Sequence, residues 1–199
     1  EDINNLKQRF RKPTINLYLL DMGLKTLKSV KGTLLSDNLS IDVDSEIRKT
    51  GSITLLVQNR EIDIGEEKNF WLNRLVKVEY CIYNEATNKE LIYNRGIYVL
   101  TDYDISYSST DYTISISLND QVSLYNGDIS GGLGIFTTTI NRIPVEDCKT
   151  VREAMLYICE LANITNYRIE ENKKEFPYDM DFSNSQTIWD MIVGVRDLY

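Results

Sequence analysis

The chain has 199 residues, of which 42% are hydrophobic, and this content can bury the core of one large domain or of two modest ones. The 30 Asp and Glu residues outnumber the 22 Lys and Arg residues, and no run of basic residues occurs, which argues against sequence-specific binding of nucleic acid. No segment approaches the ~20 apolar residues of a membrane-spanning helix, and the opening EDINNLKQRF lacks the apolar stretch of a signal peptide.

The residue types that several common chemistries need are missing. The chain has no histidine, which excludes Ser-His and Cys-His nucleophile pairs and histidine-ligated zinc. Its three cysteines, Cys81, Cys148 and Cys159, have no C-x-x-C spacing, so they indicate neither a disulfide framework nor a thiolate zinc site. We therefore expect synthesis in a reducing, cytosolic compartment, and the only catalysis left to consider is that of carboxylates.

The first 125 residues are predicted to be mainly strands. A short arm, residues 1–10, precedes them and has apolar residues at helical spacing. From residue 11 to residue 125, apolar and polar residues alternate in runs that are separated by turn sequences. The alternating apolar residues are Ile15, Leu17, Leu19, Val76, Val78, Tyr80, Ile82, Ile97, Val99, Tyr103, Ile105, Tyr107, Tyr112, Ile114, Ile116 and Leu118. This spacing predicts an antiparallel β-barrel or a sandwich.

Residues 36–58 are predicted to form a β-hairpin with an acidic face. In its first strand, Leu39, Ile41 and Val43 alternate with Ser40, Asp42 and Asp44. Asp42, Asp44 and Glu46 could supply oxygen ligands to calcium, but the calcium-loop pattern needs Gly at its sixth position and Glu at its twelfth. This stretch has isoleucine at both. A solvated strand face whose acids pair with Arg48 and Lys49 is therefore the preferred interpretation.

The segment 126–139 is predicted to be a glycine-rich linker. Its opening, NGDISGGLG at residues 126–134, has four glycines and no regular hydrophobic period. In glycine content it resembles a phosphate loop, but it lacks the GK[ST] ending that carries the mechanism of such loops. A loop between domains or at an interface is therefore preferred over a nucleotide site.

Residues 140–199 are predicted to begin a second domain, of mixed helices and strands, so the fold class of the whole chain is α+β. Thr150 and Glu153 form a capping box before a helix whose apolar face is Val151, Ala154, Met155, Ile158 and Ala162. A second helix is predicted after Ser183, with Gln186 completing its box and with Ile188, Trp189, Ile192 and Val195 buried. Because the chain begins without Met and ends inside this helical pattern, we expect a fragment with an incomplete second domain.

Two functional alternatives use the carboxylates and the tyrosines. Glycoside hydrolysis needs two carboxylates ~5–10 Å apart in a cleft. The candidates are Asp102, Asp104, Asp111, Asp120, Asp179 and Asp181. Chance pairs are common among 30 acids, so no catalytic, cofactor or metal residue is assigned, and we do not expect an enzyme. The 13 tyrosines could form an aromatic sugar-binding face, although tyrosines on strands ordinarily serve packing.

Several stretches, taken together, resemble a known family. They are TINLYLL, GTLLSDNLSIDVDSEIRKTGSITLLV, WLNRLVKVEY, NRGIYVLTDYDISYSSTDYTISISLNDQVSLYNG and TIWDMIVGVRDLY. In this order they resemble tail minor structural proteins of phages and prophages of low-GC Gram-positive bacteria, over nearly the whole chain. Such proteins are similar to the baseplate hub and tail-associated proteins of phage tails and of related contractile injection machines.

The resemblance implies a ring, usually a homotrimer, at the distal end of the tail tube in the virion. Residues 11–125 would be the first hub barrel, and the stretch from about residue 140 would begin the next domain. The implied partners are copies of the chain itself and distal tail, tube, tape-measure or spike proteins. The hairpin would be structural, with its Arg48 and Lys49 turn exposed to a neighbour. A carbohydrate- or receptor-binding module of the tail tip is the alternative.

Overall fold

The computed structural model describes residues 13–57, 72–84, 87–107, 112–133 and 141–199. The chain divides into two compact units, 1–121 and 122–199, each with its own hydrophobic core. The predicted α+β class with a mainly antiparallel sheet is confirmed. The predicted arm, residues 1–10, lies outside the described residues, and the predicted domain limits stay predictions.

The described strands of the first unit form one antiparallel sheet. They are β1 (Pro13–Leu20), β2 (Thr26–Asp37), β3 (Ser40–Ile41), β4 (Lys49–Val57), β5 (Leu75–Asn84), β6 (Lys89–Tyr107) and β7 (Tyr112–Asn119). The hydrogen-bonded order is β2-β1-β5-β6-β7-β4-β3. An additional pairing of β2 with β4 closes the sheet on itself, so that all of these strands except β3 form a ring. A 3-10 helix, Gln121–Leu124, follows β7.

Alternate residues of each strand point into the ring because side chains of a strand change face at every position. Leu17 of β1 pairs with Val30 of β2 and with Val78 of β5. On the closing side, Leu55 of β4 pairs with Ile114 of β7. The buried residues of this core are Ile15, Leu17, Leu19, Val30, Ile53, Leu55, Val57, Val76, Val78, Tyr98, Leu100, Ile114, Ile116 and Leu118. The alternation predicted for β1, β7 and the start of β5 is thus confirmed.

The long strand β6 departs from the predicted alternation because it contains two irregularities. Its register shifts once against β5, beside Gly96, and once against β7, at Thr101. A shift of one residue moves the following side chains to the opposite face. Leu100 therefore joins the core of the ring, whereas the alternation with Tyr103 had predicted Val99 for that face.

The described part of the second unit is built on two helices. They are α1 (Val151–Leu161) and α2 (Ile188–Arg196), and a short strand pair, β8 (Arg142–Ile143) with β9 (Met180–Asp181), accompanies them. The capping box predicted for α1 is confirmed. The Glu153 N–H donates to Thr150 Oγ1 at 3.2 Å, and the Thr150 N–H donates to Glu153 Oε2 at 3.0 Å. These bonds satisfy two of the free N–H groups at the start of the helix.

Helix α2 begins later than the sequence predicted. Its capping box is formed by Thr187 and Asp190, with the Thr187 N–H donating to Asp190 Oδ2 at 2.7 Å. The predicted pair, Ser183 and Gln186, does form a hydrogen bond of 2.8 Å, but in a turn that precedes Ile188. The sequence offers two capping boxes in succession, and the prediction selected the wrong one as the start of the helix.

The second core lies between the inner faces of α1 and α2. Its buried residues are Leu133, Ile143, Cys148, Val151, Ala154, Ile158, Phe176, Phe182, Ile188, Met191 and Val195. The predicted face of α1 is confirmed, but on α2 it is Met191 that is buried, whereas Trp189 and Ile192 are half-buried. Within the described ranges, neither helix combines the length and the apolar character that crossing a membrane requires.

Candidate functional site

The hairpin predicted at residues 36–58 is confirmed in its described part. Strand β2 leaves β1 after Thr33 and continues along β4 to the pair Asp37 and Ile53. The chain then steps across to β3, which pairs with Lys49 and Thr50 of β4. We call residues 34–50 the hairpin arm. Its end extends past β7, because the pairing of β4 with β7 stops at Thr50.

The acidic residues of the hairpin lie in an exposed loop and not on a strand face. The Asp42 N–H donates to the Arg48 carbonyl oxygen at 2.8 Å, and Asp42 Oδ1 accepts from the Asp44 N–H at 3.0 Å. This Asx turn ends the strand at Ile41, so the predicted alternation through Asp44 is wrong. Among the described residues, no group of three or more acidic or cysteine side chains is arranged to hold a metal ion.

The hairpin arm exposes aliphatic side chains that the alternation had placed on one apolar face. Leu39 is half-buried and packs against the core of the ring, but Ile41 is 69% exposed and Val43 is 71% exposed. Leu35, on the outer face of β2, is 54% exposed. Ile41 is the last residue of β3 and Val43 follows it. The second edge of β3 has no strand partner in the part of the chain that the structure describes. Exposed apolar side chains next to an open strand edge are typical of a protein-protein contact.

The carboxylates considered for catalysis fall into separate places. Asp102 and Asp104 are exposed on the outer face of β6, and Asp120 follows β7, half-buried. Asp111 lies outside the described residues. The remaining two candidates, Asp179 and Asp181, both contact the guanidinium of Arg142.

The environment of Asp179 holds its carboxyl group ionised. The Val145 N–H donates to Asp179 Oδ1 at 2.7 Å, and Arg142 forms an ion pair with the other oxygen. The Val145 hydrogen bond first, and Arg142 second, lower the pKa of Asp179, while Asp179 raises the pKa of Arg142. Asp181 lies 3.7 Å from Arg142 Nε. A general acid needs the opposite, a raised pKa, so this pair has a structural character.

We expect the second unit to lose stability in acid through Asp179. Its native pKa lies below the unfolded value of about 3.9, so its contribution is complete above that value and is lost as the pH falls through the native pKa. Replacing Asp179 with Asn should therefore flatten the decline of the thermal midpoint between about pH 5 and pH 2. Thermal unfolding followed by circular dichroism over this range measures it.

Asp181→Asn is the matched control, because the Asp181 carboxylate is 79% exposed and its contact with Arg142 is longer. It should leave the pH profile close to that of the parent chain. If the two variants have the same profile, Asp179 does not have the role described here.

The described part of the glycine-rich segment is held by hydrogen bonds within the second unit. The Ile129 N–H donates to the Ser123 carbonyl at 3.1 Å, and the Leu133 N–H donates to the Gln186 carbonyl at 3.0 Å. The Gly131 carbonyl accepts from the Ile188 N–H at 2.8 Å, at the first residue of α2. A phosphate loop needs N–H groups that point at its ligand, whereas these are used internally.

The tyrosines of the ring offer no parallel stacked pair in the described ranges. Tyr107 is 68% exposed, but its ring meets that of Tyr112 edge-on, at 4.9 Å between centroids and 77° between planes. Tyr80 and Tyr103 pack against the core. Burial and a hydrogen bond to Asp37 raise the pKa of Tyr80. Packing thus accounts for Tyr80, Tyr98, Tyr103 and Tyr112 among the tyrosines that lie on strands.

Glu79 is a buried charged side chain that was not predicted from the sequence. Glu79, on the outer face of β5, is only 8% exposed and lies 2.6 Å from Lys77 Nζ. Its hydrogen bond raises the pKa of Lys77. The signal in the sequence was a glutamate between Val78 and Tyr80 in an apolar strand. Because the pair Lys77 and Glu79 is satisfied within the strand, it serves the fold.

The comparisons with known proteins give matches among solved structures alone. No family model and no curated protein matches the chain. The chain is similar to the 43 kDa tail protein of prophage MuSo2 from Shewanella oneidensis, with a TM-score of 0.55 and 11% identity over 96% of this chain and 51% of that one. It is also similar to a chain of the Francisella PdpA-VgrG complex, with a TM-score of 0.57 and 10% identity over 99% of this chain and 30% of that one.

These matches concern the fold. At such low identities a likeness in structure does not transfer an activity. The chain spans about half the length of the Shewanella protein and less than a third of the Francisella chain. The resemblance to phage tail proteins inferred from the sequence is confirmed, and this chain has the fold of a tail-associated protein.

Proposed function

We propose that this chain is a structural component of a phage or prophage tail, and that it forms part of the ring of the baseplate hub or tail tip that continues the tail tube. The likeness in fold to a prophage tail protein over 96% of the chain carries the proposal. In this proposal the closed ring of strands is a hub-type β-barrel, and the protein resides in the virion tail after synthesis in the bacterial cytoplasm.

The chain acts in this proposal without catalysis. The carboxylates weighed as catalytic residues support this, because those that converge in the described chain, Asp179 and Asp181, share Arg142. Asp102 and Asp104 lie exposed on the outer face of β6. A role in assembly needs exposed contact surfaces and strand edges, and the hairpin arm has both.

The proposed partners are further copies of the chain, as a homotrimer, together with distal tail, tube, tape-measure or spike proteins. The exposed Ile41 and Val43 support a contact between copies at the hairpin arm, where β3 has one strand neighbour among the described strands. In such a contact β3 would gain a strand partner, and the aliphatic side chains would leave water.

Replacing both Ile41 and Val43 with Asp should weaken self-association at least about tenfold, because an apolar contact would then bury two charges. Light scattering over a concentration series measures the mass, and electron microscopy shows whether rings with a central channel form. The fold should persist in the variant, because both side chains are mostly exposed.

Met22→Asp is the matched control, because Met22 is 53% exposed in the turn between β1 and β2. It should assemble like the parent chain. Equal assembly of the Ile41 and Val43 variant would exclude the hairpin arm as the contact. A parent chain that stays monomeric at every concentration would count against the ring. Binding to a panel of cell-wall glycans would then test the alternative, a carbohydrate- or receptor-binding module.

A further inference from the structure

The second unit has an open groove of about 540 Å³ at the C-terminal end of α1. Its size lies within the range of about 300–1,000 Å³ that is typical of ligand sites. One wall is the last part of the helix, with Leu156, Cys159 and Glu160, and the other is the chain that follows it, with Ile164 and Tyr167. The groove therefore lies between a helix and its own C-terminal extension.

The cap of the helix holds the second wall in place. Asn163 has a φ of 51°, the left-handed conformation that ends many helices. The Ile164 N–H donates to the Cys159 carbonyl at 2.8 Å, and the Asn163 N–H donates to the Glu160 carbonyl at 3.1 Å. These are the two bonds of a Schellman motif, which turns the chain back alongside the helix. The groove is therefore a consequence of the cap and needs no ligand to form.

The charge at this end of the groove is negative and uncompensated. The helix dipole places partial negative charge at its C-terminus, and the last turn of α1 carries no basic residue. The exposed Glu160 carboxylate adds a full charge, and in the described ranges it has no ion-pair or hydrogen-bond partner. Arg168 follows Tyr167 in the chain but does not line the groove. A cationic group is the complement of this site.

The remaining lining is apolar or aromatic. Leu156 and Ile164 present aliphatic surface, Cys159 is 5% exposed, and the Tyr167 ring is 49% exposed. A long aliphatic stem that ends in a planar cation fits such a lining, because the stem packs on the aliphatic walls and the cation meets both the carboxylate and the aromatic face. Among side chains, arginine has this form.

We propose that this groove binds an arginine side chain that a partner protein presents on an extended segment. Glu160 pairs with the guanidinium, Tyr167 covers one of its faces, and Leu156 and Ile164 contact the stem. The volume leaves room for the neighbouring residues of that segment. The site is separate from the ring assembly proposed above, so either proposal can fail without the other.

The test is a titration of the ¹⁵N-labelled 199-residue chain with the peptide acetyl-Gly-Leu-Arg-Gly-amide, followed by NMR. We expect saturable shifts at Glu160, Asn163 and Tyr167, with a dissociation constant on the order of 1 mM for so short a probe.

Glu160→Gln and a modified peptide test whether binding depends on the ion pair, and Glu146→Gln is the control. Glu160→Gln should weaken binding about fivefold, because it removes the charge and keeps the shape. Glu146→Gln, an exposed carboxylate of the same unit outside the groove, should bind like the parent chain. The same peptide with citrulline in place of arginine keeps the stem without the charge and should lose about as much affinity as Glu160→Gln.

Three outcomes would overturn the proposal. They are the absence of shifts at the groove up to about 10 mM peptide, equal binding of the citrulline peptide, and equal binding by Glu160→Gln. Because Glu160 is exposed, its replacement leaves the packing of α1 intact, and circular dichroism of the variant checks this.

Discussion

Leu55→Ala is expected to lower the free energy of unfolding by about 3 kcal/mol, since it leaves a cavity in a closed core in addition to losing buried surface. Leu55 is 0% exposed and pairs with Ile114 of β7 and Leu34 of β2, so it lies on the strand that closes the ring. Its side chain also packs over Gly32, where a Cβ atom would come within 2.6 Å of Leu55 Cδ1. Unfolding in urea, followed by circular dichroism, measures the loss.

Leu56→Ala is the control for this prediction, because it removes the same atoms from the next residue of the same strand. Leu56 points to the opposite face and is half-buried, so its replacement should cost less than about 1.5 kcal/mol. Equal losses for the two variants would mean that the ring has no closed interior at β4. A larger loss for Leu56 would reverse the assignment of the two faces.

Gly51→Ala is expected to destabilise the first unit by about 3 kcal/mol, because the backbone leaves no room for a Cβ atom and the residue has a positive φ. Gly51 has a φ of 154°, and a Cβ atom there would overlap the carbonyl oxygen of Asn38 and lie 2.8 Å from Leu39 Cα. The close approach arises where the hairpin arm steps from β2 to β3, at the hydrogen bond from Asn38 to Ser52.

Gly96→Ala is the control that separates the cost of the positive φ from the cost of the steric overlap. Gly96 also lies in a strand with a positive φ, 113°, but the nearest atom to its Cβ position is Lys49 Nζ at 3.6 Å, an ordinary contact. Its replacement should cost about 1 kcal/mol, from backbone strain alone. Both values come from urea unfolding. If Gly51→Ala is no more costly than Gly96→Ala, the crossing of the hairpin arm is not as tight as described.

The elements that local sequence predicted best are those whose signals are complete within one element. The alternation of Ile15, Leu17 and Leu19 determines which face of β1 is apolar, whatever lies opposite. The box of Thr150 and Glu153 likewise starts α1 through bonds between residues three apart. Such signals need no information from the rest of the chain.

Predictions failed where two local signals competed or where a neighbour set the register. The boxes Ser183–Gln186 and Thr187–Asp190 are equally plausible in the sequence. In the structure the Gln186 carbonyl and the Ile188 N–H bond to Leu133 and Gly131, and the helix starts at the second box. In β6, the shift at Thr101 exchanges the faces of the strand, and alternation alone cannot reveal a bulge. Ile41 is exposed because the pairing of β4 with β7 stops at Thr50, and the position of β7 cannot be read from the sequence around Ile41.

The candidate surfaces were less predictable than the fold. The sequence placed the hairpin correctly but extended its first strand through Val43 and Asp44, and it gave no sign of the groove beside α1. That groove joins Glu160 to Tyr167 through the cap at Asn163, and its charge depends on which side chains the turn leaves unpaired. The cap is a common way to end a helix, so its pattern does not by itself indicate a ligand site.

By itself, the sequence determined the strand-rich first part, the helical second part, the start of α1 and the absence of histidine chemistry, because composition, period and capping act over a few residues. The tertiary structure alone decided that β2 meets β4 to close the ring, that the hairpin arm extends past β7 with its apolar residues exposed, and that α1 and its extension enclose a groove. The first two depend on contacts between strands distant in the chain, which determine the registers that local patterns leave open. The groove depends on the cap at Asn163 and on the path of the chain that follows it.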